Sequence, residues 1–332
     1  MGVARCLGIV CAVAMGIGAF TATQLVMAKD ANIQTYQKYC LKGNVTKVEE
    51  AGLHAYEPML GASFTCILTQ FILALVEDPA GMLAWGLIAT LLFPLTLLMY
   101  VEAGRYGAKG LVKWPVLVLF LGQLLGISTS FPVLWLPAVL WGQGSGVTST
   151  GRIWMALLLL VPITLVELYI FFGSTATRAW TICAGLLTGP GLPFLGILLW
   201  PFPAPGSEKF SGAEQSIRLL KGAYRACMLP AAAGYYFLIY HAYMNYATPK
   251  ELLEALWGPK ADGSVMFMTV DSCVLTLALF LYLIMTCPCS DVALTCLLTP
   301  FLGPAAGICA ALGQREAERL KEFNGEGWQS LL

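Results

Sequence analysis

The chain has 332 residues, of which 58% are hydrophobic and 11% are charged, and its 19 basic residues balance its 19 acidic ones. Soluble globular proteins carry about 25% charged residues, so this chain lacks the polar surface that a soluble enzyme needs. The balanced charge provides no basic field for a nucleic acid, and the high hydrophobicity disfavours a disordered protein. The composition predicts an all-α, polytopic transmembrane helix bundle.

Apolar stretches account for most of the chain. A transmembrane helix needs about 20 mainly apolar residues, and nine stretches approach or exceed this length, so we predict eight or nine spans. They are 6–27, 59–76, 82–101, 115–141, 153–172, 179–200, 226–244, 266–285 and 292–312. We therefore expect an N-terminal signal anchor and polar loop at 1–54, a transmembrane helical bundle at 55–313 and a polar C-terminal tail at 314–332.

The first stretch has two interpretations, and they account for the difference between eight and nine spans. Arg5, an apolar run and the small residues at 19–23 are typical of a cleaved signal peptide. The run is also long enough to stay in the membrane. We predict that it remains as an anchor.

The cysteines predict packing rather than cross-linking. Most of the 11 cysteines, Cys66 among them, lie in apolar runs, where cysteine acts as a small apolar residue. Cys40 is the exception, because its segment is clearly polar, and we expect no disulfide framework. Cys287 and Cys289 are spaced too closely for the usual zinc pair, so we expect no metal.

Local signals mark the starts and contacts of some helices. Asp78 before Pro79 predicts an N-cap followed by proline in the first turn. The segment 249–257 predicts a short interfacial helix. Gly303 and Gly307 form a GxxxG pattern that permits close helix contact. That contact could lie within the chain or between copies, so the oligomeric state stays open.

Lysine and arginine residues in short loops predict which face is cytosolic. If every stretch crosses the membrane, the face with the loop after the third stretch has more of these residues and is predicted to be cytosolic. The triplet Asn44-Val45-Thr46 disagrees, because a glycosylation acceptor on that face would have to be lumenal to be used. The charge count decides our prediction.

Four ionisable residues lie within or at the edge of the stretches: Glu102, Glu167, His241 and Asp271. Such side chains are costly in a membrane and are functional candidates. If the stretches alternate in direction, all four lie within about two helical turns of one face. We therefore predict that they share one lipid-shielded chamber. Glu102 could instead pair with Arg105, three residues later.

Aromatic and polar residues are expected at the same level. Tyr236 and Tyr240 belong to one helical stripe, which is typical either of an interfacial belt or of a substrate-binding wall. Trp114 opens the fourth stretch, and Gln123 lies deeper within it. With His241, these residues are our candidates for substrate binding.

The chemistry of this set leaves two interpretations open. Burial disfavours the charged form of a carboxyl, so such a group can keep its proton near neutral pH and act as a general acid. Aromatic faces stabilise cations by about 0.5–2 kcal/mol. Together they suit acid-initiated carbocation chemistry on a lipid-like substrate, and equally a proton-coupled carrier.

Several segments resemble fungal integral-membrane terpene cyclases, in particular those of ascochlorin- and ascofuranone-type meroterpenoid pathways. The resemblance covers about residues 55–315 and rests on LLMYVEAGR (97–105), GQLLGIS (122–128), FPVLWLP (131–137), Val270-Asp271 and LTPFLGP (298–304).

This resemblance implies protonation of a terminal epoxide on a farnesyl-type chain attached to an aromatic core, followed by ring closure without metal or cofactor. It implies acidic catalytic residues at Glu102 and Asp271, and our own analysis adds Glu167. We expect a hydrophobic prenylated substrate, contact with membrane lipids, no nucleic-acid partner, and a multi-pass protein of the endoplasmic reticulum membrane. The alternatives are a proton-coupled transporter and a non-catalytic membrane scaffold.

Overall fold

The structure is a computed structural model that describes residues 2–40, 62–105, 107–144, 147–173, 211–259 and 261–325. Within those ranges the regular elements are helices and no strand occurs, which confirms the all-α class. The helices are α1 (Gly2–Lys29), α2 (Ala31–Cys40), α3 (Ala62–Glu77), α4 (Pro79–Gly104), α5 (Pro115–Leu125), α6 (Ile127–Ser130), α7 (Leu136–Gly142), α8 (Thr150–Phe172), α9 (Ser211–Asn245), α10 (Pro249–Trp257), α11 (Gly263–Thr286), α12 (Cys289–Leu302) and α13 (Pro304–Gly325).

Four of the described helices, α1, α4, α8 and α11, are long and apolar enough to cross a membrane. They fit the expectation of a membrane protein. The number of eight or nine spans stays a prediction, and the predicted span 179–200 lies outside the described residues. The predicted interfacial helix is present as α10, with the expected bounds.

Helix α4 is the central helix of the bundle. The carboxylate of Asp78 accepts hydrogen bonds from the backbone N–H groups of Ala80 at 2.7 Å and Gly81 at 3.1 Å, which confirms the predicted N-cap. From Leu95 onward α4 is buried to its last residue, because α8, α9, α11 and α13 pack around it. We call the two ends of the bundle the Asp78 end, where α4 begins, and the Arg105 end, where it stops.

Two stretches that the sequence predicts to be single spans are helical hairpins instead. The stretch 115–141 breaks at Gly126, where φ is 87°, and returns through α6, a π-helical turn and α7. The backbone N–H of Lys109 donates to the carbonyl of Gly142 at 3.0 Å, so both arms meet at the Arg105 end. The stretch 292–312 breaks in the same way at Gly303, where φ is 84°. Side chains strain such a backbone, so glycine is favoured at both tips.

The first hairpin reverses the expected direction of the helices that follow it. Arg152, in the first turn of α8, donates to the carbonyl of Ala103 at the end of α4, over 3.0 Å. Near the start of α4, the indole N–H of Trp85 donates to Glu167, close to the end of α8. Helices α4 and α8 are therefore antiparallel, and the alternation assumed from the sequence is wrong.

The N-terminal helices are fixed to the Asp78 end. Asp30, which follows α1, accepts a hydrogen bond from the backbone N–H of Gly263 at the start of α11, over 2.8 Å. Cys40, at the end of α2, forms a disulfide with Cys66 in α3. The prediction that Cys66 only packs is therefore wrong, and the expectation of no disulfide framework did not anticipate this bond. Both missed the bond because only the tertiary structure brings the end of α2 beside α3.

Candidate functional site

A cavity of about 270 Å³ lies between α1, α3, α4, α5, α8 and α11, in the half of the bundle nearer the Asp78 end. Its walls are mainly aliphatic and aromatic. Five side chains with polar groups interrupt them: Gln24, Trp85, Gln123, Glu167 and Asp271. Ligand sites are commonly apolar cavities with a few polar groups that fix the ligand, so this cavity is the candidate functional site.

Asp271 is held at the tip of the first hairpin. It is buried in α11, and its Oδ1 accepts a hydrogen bond from the backbone N–H of Ser128 at 2.9 Å. Gly126 lies so close that a Cβ atom there would be 2.9 Å from the same oxygen. The break in the hairpin thus gives the carboxyl a backbone donor inside the bundle.

Glu167 lies between two cavities. Its Oε2 accepts a hydrogen bond from the indole N–H of Trp85 at 2.6 Å, and the carboxyl lines the cavity described above. It also lines a second cavity of about 350 Å³ between α4, α8 and α9, whose walls include Phe93, Phe171 and Phe237. Glu167 and Asp271 therefore share one cavity, and Glu167 alone of the two contacts the second.

Glu102 lies elsewhere, and the prediction of one shared chamber is wrong for this residue. It is 17 residues beyond Trp85 on α4 (102 minus 85), which is about 26 Å along a helix. It forms the predicted ion pair with Arg105, with the Nε atom 2.9 Å from its Oε1. Antiparallel packing of α4 and α8 explains the separation, since Glu167 lies level with the start of α4.

A buried cluster of charges surrounds Glu102 at the Arg105 end. Its Oε1 also accepts from Arg315 at 2.8 Å, and the Oε1 of Glu316 accepts from Arg105 at 2.5 Å and from Arg315 at 3.0 Å. Arg315 also donates to the hydroxyl of Tyr282 at 2.7 Å. We call Glu102, Arg105, Arg315 and Glu316 the ion-pair cluster. Its geometry ties α13 to α4 and α11.

Electrostatics keep the ion-pair cluster charged. Burial alone would raise the pKa of Glu316, but the guanidinium groups of Arg105, Arg315 and Arg319 outweigh that effect and lower it. Burial opposes the charge of Arg105 as well, and the carboxylates of Glu102 and Glu316 overcome it and raise the pKa of Arg105. Paired and hydrogen-bonded charges of this kind are retained in protein interiors.

Sequence reasoning missed the part that Arg315 and Glu316 take in this cluster. Both follow the expected boundary between the bundle and a polar tail at 313/314. The structure continues α13 across that boundary and buries both side chains. The available sequence signal was the continuation of a helical pattern past residue 313, which would have placed Arg315 and Glu316 on α13 rather than in a tail.

The candidates for substrate binding are dispersed. Gln123 lines the Glu167–Asp271 cavity. Trp114 lies at the Arg105 end and is 57% exposed, and Tyr236 and Tyr240 are 53% and 61% exposed on the outside of α9. His241 lines neither of the two cavities, so the prediction of one shared chamber is wrong for this residue too. It is partly exposed, and its ring stacks on Phe237, which lines the second cavity.

Trp85 is the residue of this site that sequence reasoning missed. Its depth matches that of Glu167 only when α4 and α8 are antiparallel. Among the described residues, no group of three or more His, Cys, Asp or Glu side chains could hold a metal ion. Comparisons with family models, with curated proteins and with solved structures found no match to this chain.

Proposed function

We propose that this protein is an integral-membrane terpene cyclase of the endoplasmic reticulum that opens a terminal epoxide on a farnesyl-type chain attached to an aromatic core. The observation that carries the proposal is the pair of carboxyls, Asp271 and Glu167, facing one mainly apolar cavity. An apolar cavity excludes water, so a cation formed there would be captured by the substrate's own double bonds rather than by solvent.

Asp271 is the proton donor in this proposal. The proton passes to the epoxide oxygen, the bond from that oxygen to its more substituted carbon opens, and the electrons of the neighbouring double bond form the new carbon–carbon bond. The carboxylate left on Asp271 is stabilised by the Ser128 N–H. A donor aimed at charge that develops during the reaction favours the transition state.

Glu167 receives the proton that the last cation releases, so the reaction is an isomerisation with one proton taken up and one returned. The Trp85 hydrogen bond orients its carboxyl. Trp85 also lines this cavity, and in the proposed reaction its aromatic ring adds cation stabilisation. Glu102 has no part in this scheme, because the ion-pair cluster holds it at the other end of α4.

The test is conversion of a farnesyl-aryl epoxide by the purified protein in lipid nanodiscs, with products identified by mass spectrometry. We expect a cyclic isomer of unchanged mass from the wild type, and at least a 100-fold loss in D271N and in E167Q, the typical contribution of a general acid or base. E254Q, on the exposed face of α10, is the matched control. Folded wild-type protein that converts none of a panel of prenylated phenol epoxides would refute the proposal.

A proton-coupled carrier is the second candidate, and the hairpin tip favours it. Broken helices near the middle of a membrane commonly form substrate and ion sites in transporters, and Asp271 contacts such a break at Ser128. Reconstitution into vesicles distinguishes the two. A carrier would move an intact substrate with a proton, whereas a cyclase would leave its product in the membrane without driven flux.

A further inference from the structure

We infer that the Asp78 end of the bundle faces the non-cytosolic side of the membrane and that the Glu167–Asp271 cavity therefore lies in the non-cytosolic half of the bilayer. The inference rests on two independent observations at opposite ends of the molecule. The orientation does not depend on the proposed function. Only the route by which protons reach the cavity rests on that function.

The first observation is the distribution of lysine and arginine once the hairpins fix the directions of the helices. Among the described residues, the Asp78 end has Lys29, Lys38 and Lys250. The Arg105 end has many more: Arg5, Arg105, Lys109, Lys113, Arg152, Arg218, Lys221, Arg225, Arg315 and Arg319. Short loops rich in these residues stay in the cytosol, which assigns the Arg105 end to the cytosolic side.

Contacts place the elements that carry these residues. Gly8, one turn after Arg5, lies against Met285 in the last turn of α11. The hydroxyl of Tyr282, in the same part of α11, accepts a hydrogen bond from Arg315 of the ion-pair cluster. Gly313 of α13 packs on Tyr224 of α9, so the first turns of α9 lie at the Arg105 end too.

The second observation is the Cys40–Cys66 disulfide. Disulfides persist in oxidising compartments and are rare where glutathione keeps thiols reduced. The bond joins α2 to α3, and α2 is held at the Asp78 end by a 2.9 Å hydrogen bond from Asn32 to Asp262, the residue that caps α11. The disulfide therefore assigns this end to an oxidising side, and it does so without reference to charge.

The consequence concerns access to the cavity. Trp85, Glu167 and Asp271 all lie in the half of their helices nearer the Asp78 end, and Met27 and Ile33, near the junction of α1 and α2 at that end, also line the cavity. Under the proposed function, the shortest route for a proton between the two carboxyls and water leads to the non-cytosolic compartment.

Labelling of single cysteines in sealed microsomes tests the orientation. The full-length chain keeps Cys40 and Cys66, has its other cysteines replaced by serine, and receives either R218C at the Arg105 end or E254C on α10. Both positions are exposed, with side-chain exposures of 66% and 64%. A membrane-impermeant maleimide should label R218C in intact vesicles and E254C only after permeabilisation.

The reverse pattern would overturn the inference, and so would equal labelling of both variants in vesicles shown to be sealed. A second readout leaves the natural cysteines in place. The wild-type chain isolated with its thiols blocked should change mobility on reduction, and C40S should not. A wild-type chain whose Cys40 thiol is free on isolation would contradict the oxidising assignment. Neither readout depends on cyclase activity, so either can fail while the proposed function holds.

Discussion

The backbone N–H of Ser128 donates a hydrogen bond to the carboxyl of Asp271 over 2.9 Å, joining the tip of a helical hairpin to a helix long enough to span a membrane. Irregular backbone at membrane depth is tolerated only where it is buried in protein or lines a wet cavity. Asp271 therefore satisfies a structural need at the hairpin tip, and its acidity is a separate property that substitutions can isolate.

Asp271→Asn and Asp271→Ala should separate these two roles. Asparagine keeps an oxygen that can accept from Ser128, so D271N should melt within a few degrees of the wild type while losing acid chemistry. Alanine leaves the buried N–H without a partner, which costs about 1–3 kcal/mol, so D271A should also melt lower. Thermal unfolding in detergent and turnover measure the two effects. Full turnover by a folded D271N would remove Asp271 from the mechanism.

Gly126→Ala should damage the site more than the same change at Gly110. Both glycines have positive φ, at 87° and 63°, and a residue with a side chain in such sparsely populated backbone regions is strained by about 1–3 kcal/mol. A Cβ atom at Gly110 meets open space, whereas at Gly126 it would press on Asp271 Oδ1. We expect both variants to melt lower and only G126A to lose turnover. Equal turnover in the two variants would show that the tip does not position Asp271.

Glu102→Gln should destabilise the protein through the ion-pair cluster. Removing one partner of a buried ion pair leaves uncompensated charge and costs about 3–5 kcal/mol, here by weakening the attachment of α13 to α4. R218Q, which breaks the exposed pair with Glu214, should cost less than about 1 kcal/mol. Comparing the two melting temperatures checks this. An E102Q protein as stable as R218Q would mean that the cluster contributes little.

The ion-pair cluster should also make stability depend on acid pH. The pKa of Glu316 is lowered in the folded protein, against an ordinary glutamate value of about 4.3. Its ionisation therefore stabilises the fold above that value, and the stabilisation is lost as pH falls toward the lowered folded-state pKa.

Melting temperatures between about pH 6 and pH 3 test the sign of this dependence. The wild type should lose stability on acidification more steeply than E316Q, which starts lower at neutral pH. E318Q, on the same helix, is the control and should follow the wild type. Parallel curves for the wild type and E316Q would place the acid sensitivity in other groups.

Short sequence patterns correctly predicted the bounds of individual helices. Asp78-Pro79 identified the start of α4, and the segment 249–257 identified α10, because caps and turns depend on neighbours in the chain. The pattern at Gly303 and Gly307 was a correct sign of close packing, since Gly303 lies against Tyr235 and Gly307 against Thr295. The same Gly303, followed by Pro304, is also a signal for one helix to end and the next to begin, and the structure ends α12 and starts α13 there.

Length and hydropathy could not distinguish a span from a hairpin. The stretch 115–141 has enough apolar residues to cross a membrane, but α5 ends after 11 of them, about 16 Å, roughly half the apolar thickness of a bilayer. One residue, Gly126, turns the chain back. Because of this turn, α8 runs in the direction opposite to the one expected. Glu167 therefore lies level with Trp85 rather than with Glu102.

The sequence by itself determined the all-α class, the apolar character that fits a membrane, and the start of α4 at its Asp78 cap. These follow from composition and from contacts within a few residues. Only the tertiary structure decided that Glu167 meets Asp271, that Glu102 pairs with Arg315, and that Cys40 bonds Cys66. Each of those contacts joins residues far apart in the chain, and its position depends on the direction of every helix between them, which local physics does not set.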